Sequence, residues 1–176
     1  MGLRVSKQIF LGDKMTFESQ LRDFLEGYEK LIVLGVGNEL KCDDGVGPYI
    51  IKKLKEENIE NKKRLLFIDA QTVPENFTGK IRKEKPSHLI IVDACLMDSE
   101  PGDMKIVNKY DFANIGISTH SMSLSFFVRF LEQGNDDLRI IFVGIEPESM
   151  DYADVPTEKV EKAAIDFINI LKGIIL

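Results

Sequence analysis

The chain of 176 residues carries 23 Lys and Arg against 29 Asp and Glu, a formal net charge of −6, and 44% of it is hydrophobic. No basic surplus exists to neutralise phosphates, which disfavours nucleic acid as a general partner, and no apolar run is long enough to insert in a bilayer. The length suits one domain with a sizeable core, and the two cysteines, Cys42 and Cys95, form no disulfide framework and suit a reducing cytoplasm.

The first 15 residues are weakly patterned and hold no apolar signal segment. Gly2 and Ser6 match a short myristoylation pattern that we treat as chance, and Met15 offers an alternative start. From Thr16, an N-cap residue, the spacing of Phe17, Leu21, Phe24 and Leu25 predicts a short helix that Gly27 weakens at its end. Leu31 to Val36 is a continuous apolar run, as expected of a strand covered on both faces. Gly35-Val36-Gly37-Asn38 breaks it, Asp43 and Asp44 follow, and Val46, Ile50, Ile51 and Leu54 begin a helix that reaches about Glu57.

A polar connection over 58–63 leads to a second buried strand, 65–68, closing on Asp69 and Ala70. Residues 71–77 read as a loop and 78–83 as a short charged helix stopped by Pro86. His88 to Val92 is the third strand, closing on Asp93, Ala94 and Cys95. A turn at 98–103 precedes an edge strand over 104–107, and 115–121 is a loop of small and hydroxyl residues. A helix then runs from Ser121 to Gln133, with Leu124, Phe127, Val128 and Leu131 on one face and Gly134 ending it. Residues 138–143 form the fourth main strand. The last helix starts near Pro156 or Thr157 and turns Val160, Ala164, Phe167, Ile168 and Leu171 inward.

Strands alternating with helices predict a single α/β domain: a central, mainly parallel twisted sheet with helices on both faces and an edge strand. Residues 1–29 are an N-terminal extension with a short helix, and 30–176 are the α/β domain proper.

The glycine loop fails as a dinucleotide fingerprint, because Leu40 stands at the third glycine position and an acidic pair repels the pyrophosphate. Asp43 and Asp44 have a simple structural explanation, favouring the positive end of the next helix by about 0.3–1 kcal/mol each. The strand ends suggest more. In a parallel sheet Asp44, Asp93 and His120 all lie above the carboxyl edge, and two carboxylates with one imidazole make a divalent-metal site with open positions. Asp43 stands beside it as support, and His120 could equally cap its helix. His88 opens a strand at the opposite edge and is structural. A Cys95–His120 nucleophile pair is conceivable, but a small buried side chain is the commoner explanation of a lone cysteine. Asp69, Glu75 and Glu146 follow strands and either rim the pocket or are solvated. Phe126 and Phe130, on a second face of the 121–133 helix, form a docking surface if nothing in the chain covers them.

The order GVGNELKCDDGVGP, VPEN at 73–76, LIIVDA at 89–94, PGDMKIV at 101–107 and THSMSL at 119–124 resembles the nickel–iron hydrogenase maturation endopeptidases. The branch it resembles most acts on the large subunit of hydrogenase 3, the formate-hydrogenlyase type. The resemblance covers roughly residues 30–172. It implies an α/β fold and removal of a C-terminal extension from the large-subunit precursor after nickel insertion. It also places the family's metal-binding and catalytic positions on Asp44, Asp93 and His120. Some relatives carry Glu at the Asp44 position, and many carry Pro where Ser123 stands. With these acids the enzyme is expected to be an aspartic-type endopeptidase of the cytoplasm. Its partner is the precursor, its nickel is presented by that precursor, and it uses no organic cofactor; the loop glycines let the bulky substrate approach Asp44. The alternatives from other classes are a non-enzymatic nickel-binding assembly module and a small-molecule hydrolase or nucleotide binder.

Overall fold

The computed structural model describes residues 15–61, 63–108, 121–135 and 137–176. The expected loop before the fourth helix, with His120, lies outside them. Ten elements follow in order: α1 (Phe17–Leu25), β1 (Leu31–Val36), α2 (Val46–Glu56), β2 (Leu65–Gln71), α3 (Thr78–Glu84), β3 (His88–Ala94), β4 (Met104–Asn108), α4 (Ser121–Glu132), β5 (Arg139–Ile145) and α5 (Glu158–Ile175). Short 3-10 turns at Cys42–Gly45 and Pro74–Phe77 lead into α2 and α3.

The sheet has five strands in the order β2-β1-β3-β5-β4. The first four of that order are mutually parallel, and β4 pairs antiparallel with β5 at the edge. This is the expected α/β architecture. Every residue of β1 is buried, and successive side chains point to opposite faces. Leu31 and Val33 join a core with Leu21, Leu25, Ile50, Leu54, Phe167 and Leu171, beneath α1, α2 and α5. Ile32, Leu34 and Val36 join a second core with Ile81, Leu124, Phe127 and Leu131, beneath α3 and α4. Helices on both faces therefore follow from the unbroken apolar run.

Thr16 caps α1 as expected, its hydroxyl accepting from Ser19 N–H at 3.2 Å. The helix is seated in the first core through Leu21, Phe24 and Leu25. His88, at the amino end of β3, lies edge-on to Phe24 and Tyr28, with ring centroids 5.0 and 6.4 Å away. That is the far edge from the glycine loop.

Candidate functional site

The strand order locates the site before any side chain is considered. From β1 the chain crosses through α2 to β2 on one side, whereas after β3 it builds β4 and β5 on the other. Adjacent parallel strands whose connections diverge leave a crevice at their carboxyl ends, where ligands bind in open α/β sheets. Asp44 follows β1, and Asp93 is the penultimate residue of β3.

Close backbone packing holds Asp44 there. A Cβ on Gly47, in the first turn of α2, would sit 2.2 Å from the Val36 carbonyl oxygen and 2.7 Å from that of Val92. Only glycine lets the helix rest on the ends of both strands. At Gly37, φ is +144° and a Cβ would lie 1.8 Å from the Asp44 carbonyl oxygen. The space these glycines open is thus filled by the chain's own backbone. The expectation that they admit a substrate is corrected accordingly.

Asp44 is 4% exposed, and its Oδ2 accepts from Asn38 N–H at 3.2 Å. Asp93 is equally buried, and the Cys42–Gly45 turn packs against its strand. The structure therefore brings these two predicted carboxylates to neighbouring strand ends. His120, the third predicted ligand, lies outside the described residues, among which no three His, Cys, Asp or Glu side chains gather around a possible metal.

Asp43 does something different from its neighbour. It is fully buried and does not serve as a solvated charge at a helix end. Its Oδ2 accepts from Glu148 N–H and Ser149 N–H, both at 2.8 Å. Its Oδ1 accepts from Thr157 N–H at 2.7 Å and from the Thr157 hydroxyl at 3.0 Å. One carboxylate thus ties the loop after β1 to the loop after β5. Glu146 is the counterpart that sequence reading undervalued. It is buried, and its Oε2 accepts from Met97 N–H at 2.6 Å and the Ser99 hydroxyl at 3.2 Å, tying the end of β5 to the loop after β3. The available signal was its place between a buried strand and Pro147.

The other candidates settle into lesser roles. Burial pushes the Cys95 thiol up to about 11, helped by the nearby carboxylates of Asp93 and Glu146, as suits a small buried side chain, and His120, the other half of the conceivable pair, lies outside the described residues. Burial and the adjacent Asp43 likewise raise Cys42. Asp69 accepts from the backbone and side chain of Gln71, and Glu75 is exposed. Phe126 is exposed, and the Arg82 guanidinium lies 4.4 Å from the Phe130 ring centroid.

Residues 48–173 match the hydrogenase maturation protease family. A Methanocaldococcus jannaschii protein assigned to the hydrogenase maturation proteases is 37% identical over 163 residues, covering 90% of this chain and 95% of its own length. The hydrogenase 3 maturation protease of Escherichia coli is 32% identical over 143 residues, with 81% and 88% covered. The crystal structure of a nickel–iron hydrogenase maturation protease from Thermococcus kodakarensis superposes with a TM-score of 0.78 at 25% identity, covering 89% of this chain and 98% of that one.

The aspartic-type expectation is overturned, because proteases of this kind are metal-dependent in character. The adjacent pair Asp43 and Asp44 forms no aspartic dyad, which needs two carboxylates sharing one proton, because Asp43 commits both oxygens to backbone and hydroxyl donors. With its fold and its sequence in agreement, the chain belongs to the hydrogenase maturation protease family.

Proposed function

We propose that the protein is the endopeptidase that removes the C-terminal extension of a nickel–iron hydrogenase large-subunit precursor once nickel has been inserted. The observation that carries this reading is a pair of buried carboxylates, Asp44 and Asp93, at the crevice between β1 and β3 of a chain in this family. The precursor is that of a hydrogenase 3, formate-hydrogenlyase type enzyme, supported by the motif order and by the similarity to the Escherichia coli hydrogenase 3 protease. The setting is the cytoplasm, a reading that the free thiols of Cys42 and Cys95 support. Among the described residues no helix is long and apolar enough to cross a membrane.

Asp44, Asp93 and His120 engage the nickel that the precursor carries, which makes the metal part of the substrate. Two carboxylates and an imidazole are a donor set that suits nickel. Engaged there, nickel supplies Lewis-acid polarisation of a carbonyl or activation of a water. The chain's own part is placement. The Asn38 amide orients the Asp44 carboxylate, and the glycine-packed junction of β1, β3 and α2 holds Asp44 and Asp93 on rigid elements.

The test is the intact mass of purified, nickel-loaded precursor before and after incubation with the protein. A single new mass lower by the C-terminal extension is expected. A stable complex with unchanged precursor mass would instead make the protein an assembly module.

A further inference from the structure

Half of the exposed large apolar side chains among the described residues stand at one end of the molecule. Leu40 is 62% exposed and Tyr152 83%, and Val73, Leu96 and Val155 are exposed with them. They occupy the loops that follow β1, β2, β3 and β5. Those strands are parallel, so all four loops leave the sheet edge that carries Asp44 and Asp93.

Two of the loops are stitched together. Cys42 N–H donates to the Ala153 carbonyl at 2.9 Å, and Ala153 N–H donates to the Leu40 carbonyl at 3.2 Å. Leu40 and Tyr152 therefore stand on neighbouring backbones. Beside them opens a cleft of about 320 Å³, whose lining includes Glu39, Leu40, Tyr49, Lys52, Asp154 and Val155.

These side chains are not exposed because their loops are loose. Asp43 ties down Glu148, Ser149 and Thr157, and Glu146 ties down Met97 and Ser99. Braced in this way, the apolar groups are kept from collapsing onto the core. A preformed apolar surface of this kind is typical of a site that a partner covers.

The charge of the same loops specifies the partner. They expose Glu39, Asp98, Asp151 and Asp154, whereas Lys41 is their one Lys or Arg among the described residues. Like-charged partners would be repelled and basic ones drawn in. Apolar positions spread over four loops suit a broad protein face better than one extended peptide.

We propose that this end of the molecule docks the folded body of the protein substrate, through a partner face that is apolar at its centre and lined with Lys and Arg at its margin. The proposal rests on the protease reading above and adds how the substrate is held outside the cleavage site.

Steady-state cleavage of nickel-loaded precursor tests it, with the wild-type chain, Leu40→Ser/Tyr152→Ser and Asp151→Lys/Asp154→Lys compared side by side. KM is expected to rise about tenfold in each double variant, with melting temperatures unchanged. Wild-type KM is expected to rise as salt goes from about 50 to about 300 mM, a response that the charge-reversed variant loses. An unmoved KM in both variants would overturn the proposal, as would a loss confined to kcat. Sedimentation showing that the wild type dimerises and Leu40→Ser/Tyr152→Ser does not would assign the face to a second copy and overturn it too. Wild-type protein that cleaves no precursor sinks the protease reading and the docking proposal together, whereas wild-type cleavage with unmoved KM sinks docking alone.

Discussion

Adjacent residues of the same type, Asp43 and Asp44, have opposite duties. Asp44, buried at the end of β1, accepts from the Asn38 backbone N–H, while Asp43 points into the loop packing and satisfies three backbone N–H groups and one hydroxyl. Removing a buried acceptor leaves its donors unpaired, and hydrogen bonds to a charged group are worth more than neutral ones. Asp43→Ala is therefore expected to lower unfolding stability by about 3 kcal/mol in a urea titration. A change under about 0.5 kcal/mol, typical of a surface site, would contradict the bracing role. Asp44 and Asp93 could be picked from the sequence because each closes or follows an apolar strand. The work of Asp43 and Glu146 could not, because which loop amides reach a carboxylate depends on how distant loops fold back.

At the level of elements, the unbroken apolar runs of β1 and β3 announced helices on both faces, and the alternating direction of the buried β1 side chains feeds two separate cores. The glycine loop was legible as a strand-to-helix turn. What fills the space beside its glycines was not, since a sequence does not distinguish a substrate from the chain's own Asp44 carbonyl or Val36 and Val92 backbone.

The seat of α1 has its own pH dependence. His88 lies against Phe24 and Tyr28, with Arg139 Nη1 3.3 Å from its Nε2 and the Ser87 hydroxyl 2.9 Å from its Nδ1. Arg139 can only donate, which puts the ring proton on Nδ1 and keeps the imidazole neutral. Burial, and then the Arg139 charge, hold His88 below its ordinary value of 6.5. Between the lowered folded value and the ordinary unfolded one, the unfolded chain binds more protons, so stability rises with pH. The His88 contribution is complete above the ordinary histidine range and is lost as pH falls through the folded value. Thermal melting against pH is expected to show an acid-side decline that is shallower in His88→Gln; parallel profiles for the two proteins would remove His88 as its source.

The whole molecule joins a preset crevice to a surface built for a large partner. Strand order puts the ends of β1 and β3 side by side, and the divergence of their connections opens the place where Asp44 and Asp93 stand. The same parallel order gathers four loops at that edge, and the two buried carboxylates beside the site tie three of them, after β1, β3 and β5, into a fixed frame. Strand order was only partly foreseeable. Alternating elements predict parallel crossovers, whereas the placement of β4 beyond β5 comes from antiparallel pairing between residues far apart in the chain.

We propose that Asp44, Asp93 and His120 read the nickel carried by the substrate. The most direct measurement is the cleavage rate of purified precursor, with and without nickel, by the wild-type protein and by His120→Ala. Nickel-loaded precursor is expected to be trimmed by the wild type, at least about 100-fold faster than by His120→Ala, with nickel-free precursor left intact by both. Equal trimming of the nickel-free and nickel-loaded forms by the wild type would show that these residues do not read nickel.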